Sequence, residues 1–496
     1  MKKIICFLLT ALMLVSLVAC GNTTPNVEVG GESTEEQTTA APVTFEKISA
    51  EPYDGVFKVG YSRVDITPTN LPISKKDGGG TYKKVQDKLY ITCIAVNDGK
   101  DTALLLSVDV TSIGDAQYES FVKYITGATK VPAENIIISA THTHTAPCPG
   151  IPLSTTANIR WYTEVNNAMA TVAKESIADL SDAEINIGTT EVKGMAFGRR
   201  GYLADGTPTG IWRQTDVHSM TKYESDVDNS VQVIRFTRAD KKDVVMANVQ
   251  THFTEAGQYI TDTISADLAG VIRSVIEIED EDVQFAVFAG ASGNVNTIAY
   301  VDGTKTFGNY NKMGKAVAEA ILATSLTKVE AGKIQSTQKK IKTNVRKDDA
   351  AIVEKAEQAE AEIKALNAYD GDASVYAIAA KYGFESAKEV TFIVSRNKNY
   401  GSTRTHKISG ISFGDIAFVG APYEMFDTNG MEIKNGSPFT MTFVLTNAGG
   451  AGAYVPSAIA VPNGGYEVYT AVDEYGTAER MVSEFLEILR SHKGIK

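Results

Sequence analysis

Apolar runs of strand length recur along this chain, and several of them stop at a residue whose side chain can bind a metal. Residues 135–141 are largely aliphatic and run into His142 and His144. Residues 244–251 run into His252, residues 416–423 into Glu424, and residues 439–446 into a Gly-rich loop that leads to Tyr454. Residues 102–110 are apolar almost without a break, the pattern of a strand buried on both faces. Between these runs the spacing turns helical, which predicts helices over 115–128, 160–180, 266–278, 311–325 and 477–492. Strands alternating with helices define an α/β fold, with mixed β-sheets covered by helices. In open α/β sheets, sites form outside the carboxyl ends of strands, which is where the His, Glu and Tyr residues fall.

Residues 346–390 depart from that alternation. Ile352, Ala356, Ala359, Ile363 and Leu366 make a narrow apolar stripe at helical spacing, flanked by Glu and Lys. A turn at Asp370 to Asp372 follows, then a short helix through Tyr382. The pattern predicts a helical-hairpin insertion, with strands resuming at Val390.

The first residues are a targeting signal. Lys2 and Lys3 precede an apolar stretch from Ile4 to Val18 that ends in small residues before Cys20. This is a secretory signal of the lipoprotein kind over 1–19, with Cys20 the lipidated residue. Residues 20–46 are rich in Thr, Glu and Gly and predict a flexible tether, leaving 47–496 as the folded domain. The expected location is therefore outside the cytoplasm, anchored to the outer face of the cytoplasmic membrane. The formal charge is −12, and −14 without Lys2 and Lys3. An acidic chain without a basic stretch argues against nucleic acid and against tight adsorption to anionic lipid. Cys93 and Cys148 remain after the signal; a disulfide between them is allowed in an exported protein but is not the favoured expectation.

Two of the six histidines lie within three residues of each other, at His142 and His144. On a strand that spacing puts both imidazoles on one face. His252 gains weight from its place after a buried strand, with Glu255 and Asp267 following. His218, His406 and His492 lack such a setting and read as surface or structural residues. Imidazole and carboxylate from distant segments suit a zinc ion.

In order along the chain, further motifs accompany these residues: 59–68 around Asp65 and Pro68, 139–147 around the two histidines, 197–202 with Arg199 and Arg200, Thr251 with His252, 290–296, 421–426 with Glu424, Tyr454 with Pro456, and 464–468 with Tyr466. This series resembles the N-terminal catalytic domain of the neutral/alkaline, non-lysosomal ceramidases across nearly all of 56–475. The resemblance implies zinc bound by His142, His252, Glu424 and Tyr454. It also implies that His144, Arg199 and Tyr466 act on the scissile amide. Three features differ from the family pattern. The chain ends soon after the tyrosine motif. Gly198 stands where Asn usually precedes the arginine, which leaves Arg200 as a rival to Arg199. The loop between Asn447 and Tyr454 is longer than usual. The expected function is a lipid-anchored extracytoplasmic zinc amidohydrolase cleaving an N-acyl amide bond, with ceramide-like lipids the leading substrate class. The alternatives are a zinc esterase or amidase on small polar or cell-wall-derived compounds, and a non-catalytic surface binding protein on the same scaffold.

Overall fold

The computed structural model describes residues 46–75, 80–149, 155–213, 217–258, 260–301, 309–366 and 372–495. The proposed signal, Cys20 and all but the last residue of the tether lie outside them. Among the described residues no helix is long and apolar enough to cross a membrane.

Two sheets carry the fold. The first is built from β1 (Lys58–Asp65), β2 (Tyr90–Asn97), β3 (Thr102–Val108), β4 (Ile136–Ala140), β5 (Ser181–Glu191), β6 (Ser230–Arg238), β7 (Asp243–Val249), β8 (Val283–Ala289) and β9 (Thr327–Val329). Its order is β8-β7-β6-β5-β1-β2-β3-β4, with β9 also paired to β5. Only β3–β4 and β7–β8 are parallel pairs; the other pairings of this sheet are antiparallel. The second sheet, β10 (Gln335–Asn344), β11 (Thr403–Phe413), β12 (Ile416–Gly420) and β13 (Met441–Leu445), is ordered β10-β11-β12-β13.

The helices are α1 (Asp115–Thr129), α2 (Thr156–Ala178), α3 (Asp267–Glu279), α4 (Tyr310–Leu322), α5 (Ala350–Leu366), α6 (Ala373–Lys381), α7 (Ala387–Asn399), α8 (Asp427–Gly436), α9 (Tyr466–Thr470) and α10 (Thr477–His492). The alternation within strands sorts the layers. In β2 and β3, Ile91, Cys93, Leu104 and Leu106 pack with Phe121, Val165 and Val172 of α1 and α2. Their neighbours Ile94, Val96 and Leu105 join Phe413, Phe418 and Phe443 between the two sheets. α3 and α4 cover β6, β7 and β8 on the outer face, and α8 and α10 cover the second sheet. The result is helices, sheet, sheet, helices. Burial on both faces is why the strands read as unbroken apolar runs.

The insertion differs from its sequence reading. α5 and α6 form as the stripe predicts, with Ala356 and Ala359 buried, although Leu366 is exposed. Val390 does not start a strand: it lies in α7, and strands resume only at Thr403. The β-branched run misleads because Val390, Ile393 and Val394 have the i, i+3, i+4 spacing that packs a helix onto α5. The Glu389 carboxylate also accepts the Ser386 N–H at 3.2 Å, satisfying a donor at the helix start. Cys93 and Cys148 are both free thiols, each buried in its own surroundings, so there is no disulfide between them.

Candidate metal centre

The site lies where the first sheet meets the loops after β12 and β13. After β4 the chain turns sharply: His142 has φ +66°, and its N–H donates to the Val110 carbonyl at 3.0 Å. His142 and His144 are thus not on a strand, as their spacing suggested, but in the turn beyond it. They still converge, with Nε2 atoms 3.1 Å apart. His252, three residues past β7, brings its Nε2 to 3.0 Å from that of His142. Glu424 Oε2 lies 3.3 Å from His142 Nε2 and 3.9 Å from His252 Nε2. The nitrogens of the three histidines all fall within 4.8 Å of one another. His142 and His252 are buried, whereas His144 sits at the solvent edge.

The protonation of the two buried rings follows from their backs. His142 Nδ1 lies 2.5 Å from the Thr111 carbonyl oxygen and His252 Nδ1 lies 3.1 Å from that of Ser292. A carbonyl only accepts, so both Nδ1 atoms carry the proton. Asn447 Nδ2 also lies 3.3 Å from His142 Nδ1. The two Nε2 atoms face each other at 3.0 Å, and with the Nδ1 protons pointing away both can offer a lone pair to one cation. Nitrogens about 2.0–2.1 Å from one tetrahedral zinc lie about 3.3 Å apart, close to the spacing here. Burial, with the neighbouring His142 and Arg199, lowers the His252 pKa well below its ordinary value, which favours the neutral ligand form. The donor set thus fits a metal ion.

Backbone pairing brings in the fourth and fifth segments. Glu424 pairs in register with Tyr454 in a short parallel bridge, and its N–H donates to the Ala453 carbonyl at 2.9 Å. The long loop before Tyr454 uses residues at positive φ: Gly449 at +100°, Gly450 at +145° and Ala453 at +70°. A side chain at Gly450 would run into Asp115 at the start of α1.

Arg199 is buried and donates from Nη1 to Tyr454 Oη at 3.3 Å and to the Gly293 carbonyl at 3.2 Å. Its guanidinium lies 5.5 Å from the Trp212 ring and 5.9 Å from the Tyr454 ring. The Tyr466 ring meets that of Tyr454 edge-to-face at 5.8 Å and lies tilted 4.8 Å from that of Trp212. Burial and the Glu424 charge hold the Tyr466 phenol well above its ordinary pKa, so it is a proton donor at neutral pH. Arg200 points elsewhere. Its Nε and Nη2 donate to Glu224 at 2.8 and 3.2 Å, its Nη1 donates to Glu467 at 3.1 Å, and Nη2 reaches the carbonyls of Ala460 and Gly464. Gly198 has its own reason: a Cβ there would stand 3.0 Å from the Tyr223 ring, so the larger residue of the family pattern would have to push that ring aside.

All seven residues singled out from the sequence therefore gather in one region. Trp212 and Glu467 escaped the sequence reading: Trp212 lies two residues past the short strand Pro208–Gly210, which carries no apolar run, and Glu467 lies inside the short helix α9. His218 is exposed. His406 is buried against Asp473 at 3.1 Å, and His492 is buried between Thr337 and Ser412, both as structural residues.

No family model matches the chain, and no curated protein matches it. Among solved structures, the fold is that of the neutral ceramidases. The match to neutral ceramidase from Pseudomonas aeruginosa has a TM-score of 0.65 at 12% identity and covers 89% of this chain and 75% of that one. A ceramidase solved in complex with C2 matches with the same TM-score and identity, over 89% of this chain and 76% of that one. At such identity the likeness carries the fold and not the chemistry. The class that fold and site define is a ceramidase-like fold with a histidine group able to hold a metal ion.

Proposed function

We propose that the protein is a zinc-dependent amidohydrolase that cleaves N-acyl amide bonds, with ceramide-like lipids as the leading substrates. The observation that carries this reading is the convergence of the His142 and His252 lone pairs, 3.0 Å apart, with Glu424 alongside, on a ceramidase-like fold. His142, His252, Glu424 and Tyr454 would hold the ion. Zinc there would act as a Lewis acid and make hydroxide available near pH 7.

The chain's own residues supply the rest. Arg199 is a fixed cation beside Tyr454, suited to a carbonyl oxygen that gains negative charge, and its burial strengthens that interaction. The donors of Arg200 are engaged by Glu224, Glu467 and two carbonyls, which supports Arg199 in this role. Tyr466, held protonated, offers a second donor to the same oxygen. His144 at the solvent edge is placed to pass a proton to the departing amine.

Chain length tests the substrate class. Each methylene buried in an apolar channel gains about 0.8 kcal/mol, or about fourfold in kcat/KM. For N-acyl sphingoid substrates below their aggregation limit, kcat/KM is expected to climb at about that rate until the channel is full. A flat series, or cleavage of esters alone, would move the assignment to a polar-substrate enzyme and leave the metal site standing.

The proposed location rests on the N-terminal sequence, where Cys20 receives lipid after signal removal. Cys20→Ser is expected to release the protein from the membrane fraction or leave it unprocessed. Mass spectrometry that finds an unmodified Cys20 in the mature chain would contradict the anchor.

A further inference from the structure

The two neighbouring arginines share one carboxylate. Glu467 is buried, with Oε1 in ion-pair contact 3.4 Å from Arg199 Nε, neither atom making a hydrogen bond, while Oε2 accepts from Arg200 Nη1 at 3.1 Å. Two buried guanidiniums side by side repel, and each is costly to desolvate unless paired. Arg200 is tied on its far side by two bonds to Glu224, so it is a fixed post. Among the described residues Glu467 is the carboxylate in contact with Arg199, whose hydrogen bonds go to Gly293 and Tyr454. Glu385 and Glu389, also nearby, do not compete. Burial and the Glu467 charge raise the Glu385 pKa, and burial with Glu385 raises that of Glu389, so both are held toward the neutral form. Glycines let the carboxylate approach: Gly465 has φ +83°, and a Cβ there would crowd Arg200 Nη1 at 3.2 Å. Tyr466 and Glu467 then open α9 together, so one turn sets both the phenol and the carboxylate.

We propose that Glu467 is a positioning residue for Arg199, clamping its Nε edge against the Arg200 post so that the guanidinium stays fixed beside Tyr454. This role rests on the amidohydrolase reading. Its effect on turnover passes through Arg199, because Arg200 is held independently by Glu224 and the carbonyls of Ala460 and Gly464, and that is what separates it from a structural ion pair.

The test combines a double-mutant cycle with crystallography. Glu467→Gln keeps the shape and removes the charge. The expected result is unchanged zinc stoichiometry, kcat lower by about 10–100-fold, and KM within about twofold. Adding Glu467→Gln to Arg199→Ala is expected to cost nothing further, because the clamp has nothing left to hold. Losses that multiply in the double variant would overturn the proposal while leaving the amidohydrolase reading intact. If the Gln variant does not fold, Glu467→Asp, which keeps the charge on a shorter arm, carries the same cycle with the same two outcomes. Should the wild-type protein cleave no amide or ester, the amidohydrolase reading falls, and the crystal structure of the variant decides the clamp. An Arg199 side chain displaced from between Tyr454 and Trp212 would support it, and an unmoved one would overturn it.

Discussion

His142→Ala and His252→Ala are each expected to lose bound zinc and hydrolytic activity together. Both rings are buried, and both are locked from behind by backbone carbonyls, so their Nε2 atoms face the centre. Structural zinc sites gain about 10–16 kcal/mol from four ligands. Loss of one ligand then costs about 3 kcal/mol, or about a hundredfold in affinity. Purification would strip a site weakened by that much. Metal content by plasma emission, with a melting curve to show that the fold survives, checks the outcome. A double variant that keeps one zinc per chain would place the metal elsewhere.

His144→Ala is expected to separate metal from turnover. Its Nε2 lies only 3.1 Å from that of His142, so distance alone is compatible with a ligand. Its exposure distinguishes it: a proton carrier needs access to solvent and to the departing amine, while His142 and His252 are closed off. The variant is expected to retain zinc and to lose about 10²–10⁴-fold in kcat, the usual range for a general acid–base group. Zinc lost as completely as in His142→Ala would make the centre a three-histidine site and remove His144 from the proton step.

Much of this architecture is legible in the sequence, for identifiable reasons. Strands buried on two faces leave apolar runs, and helices that cover a sheet leave 3.6-residue stripes. The terminal helix therefore lies at 477–492 as its spacing predicts. α7 was hidden because Val390 to Val394 suits either period, and only contact with α5 decides between them. At the site, residue types and their positions after strands pointed to His142, His252 and Glu424. What holds them could not be read. The left-handed turn at His142 is a backbone event, and the partners of both Nδ1 atoms are main-chain oxygens of Thr111 and Ser292, which carry no side-chain signature. Glu467 was hidden by the same logic, because its partners lie more than 260 positions away along the chain.

The proposed function requires a zinc ion that would be held by His142 and His252, and amide cleavage that depends on it. Anomalous diffraction from crystals of the purified protein, recorded on either side of the zinc absorption edge, tests its first half directly. The expected result is a single strong peak about 2.0–2.1 Å from both Nε2 atoms, present only above the edge. No peak there after zinc is supplied, or a peak at another place in the molecule, would contradict it.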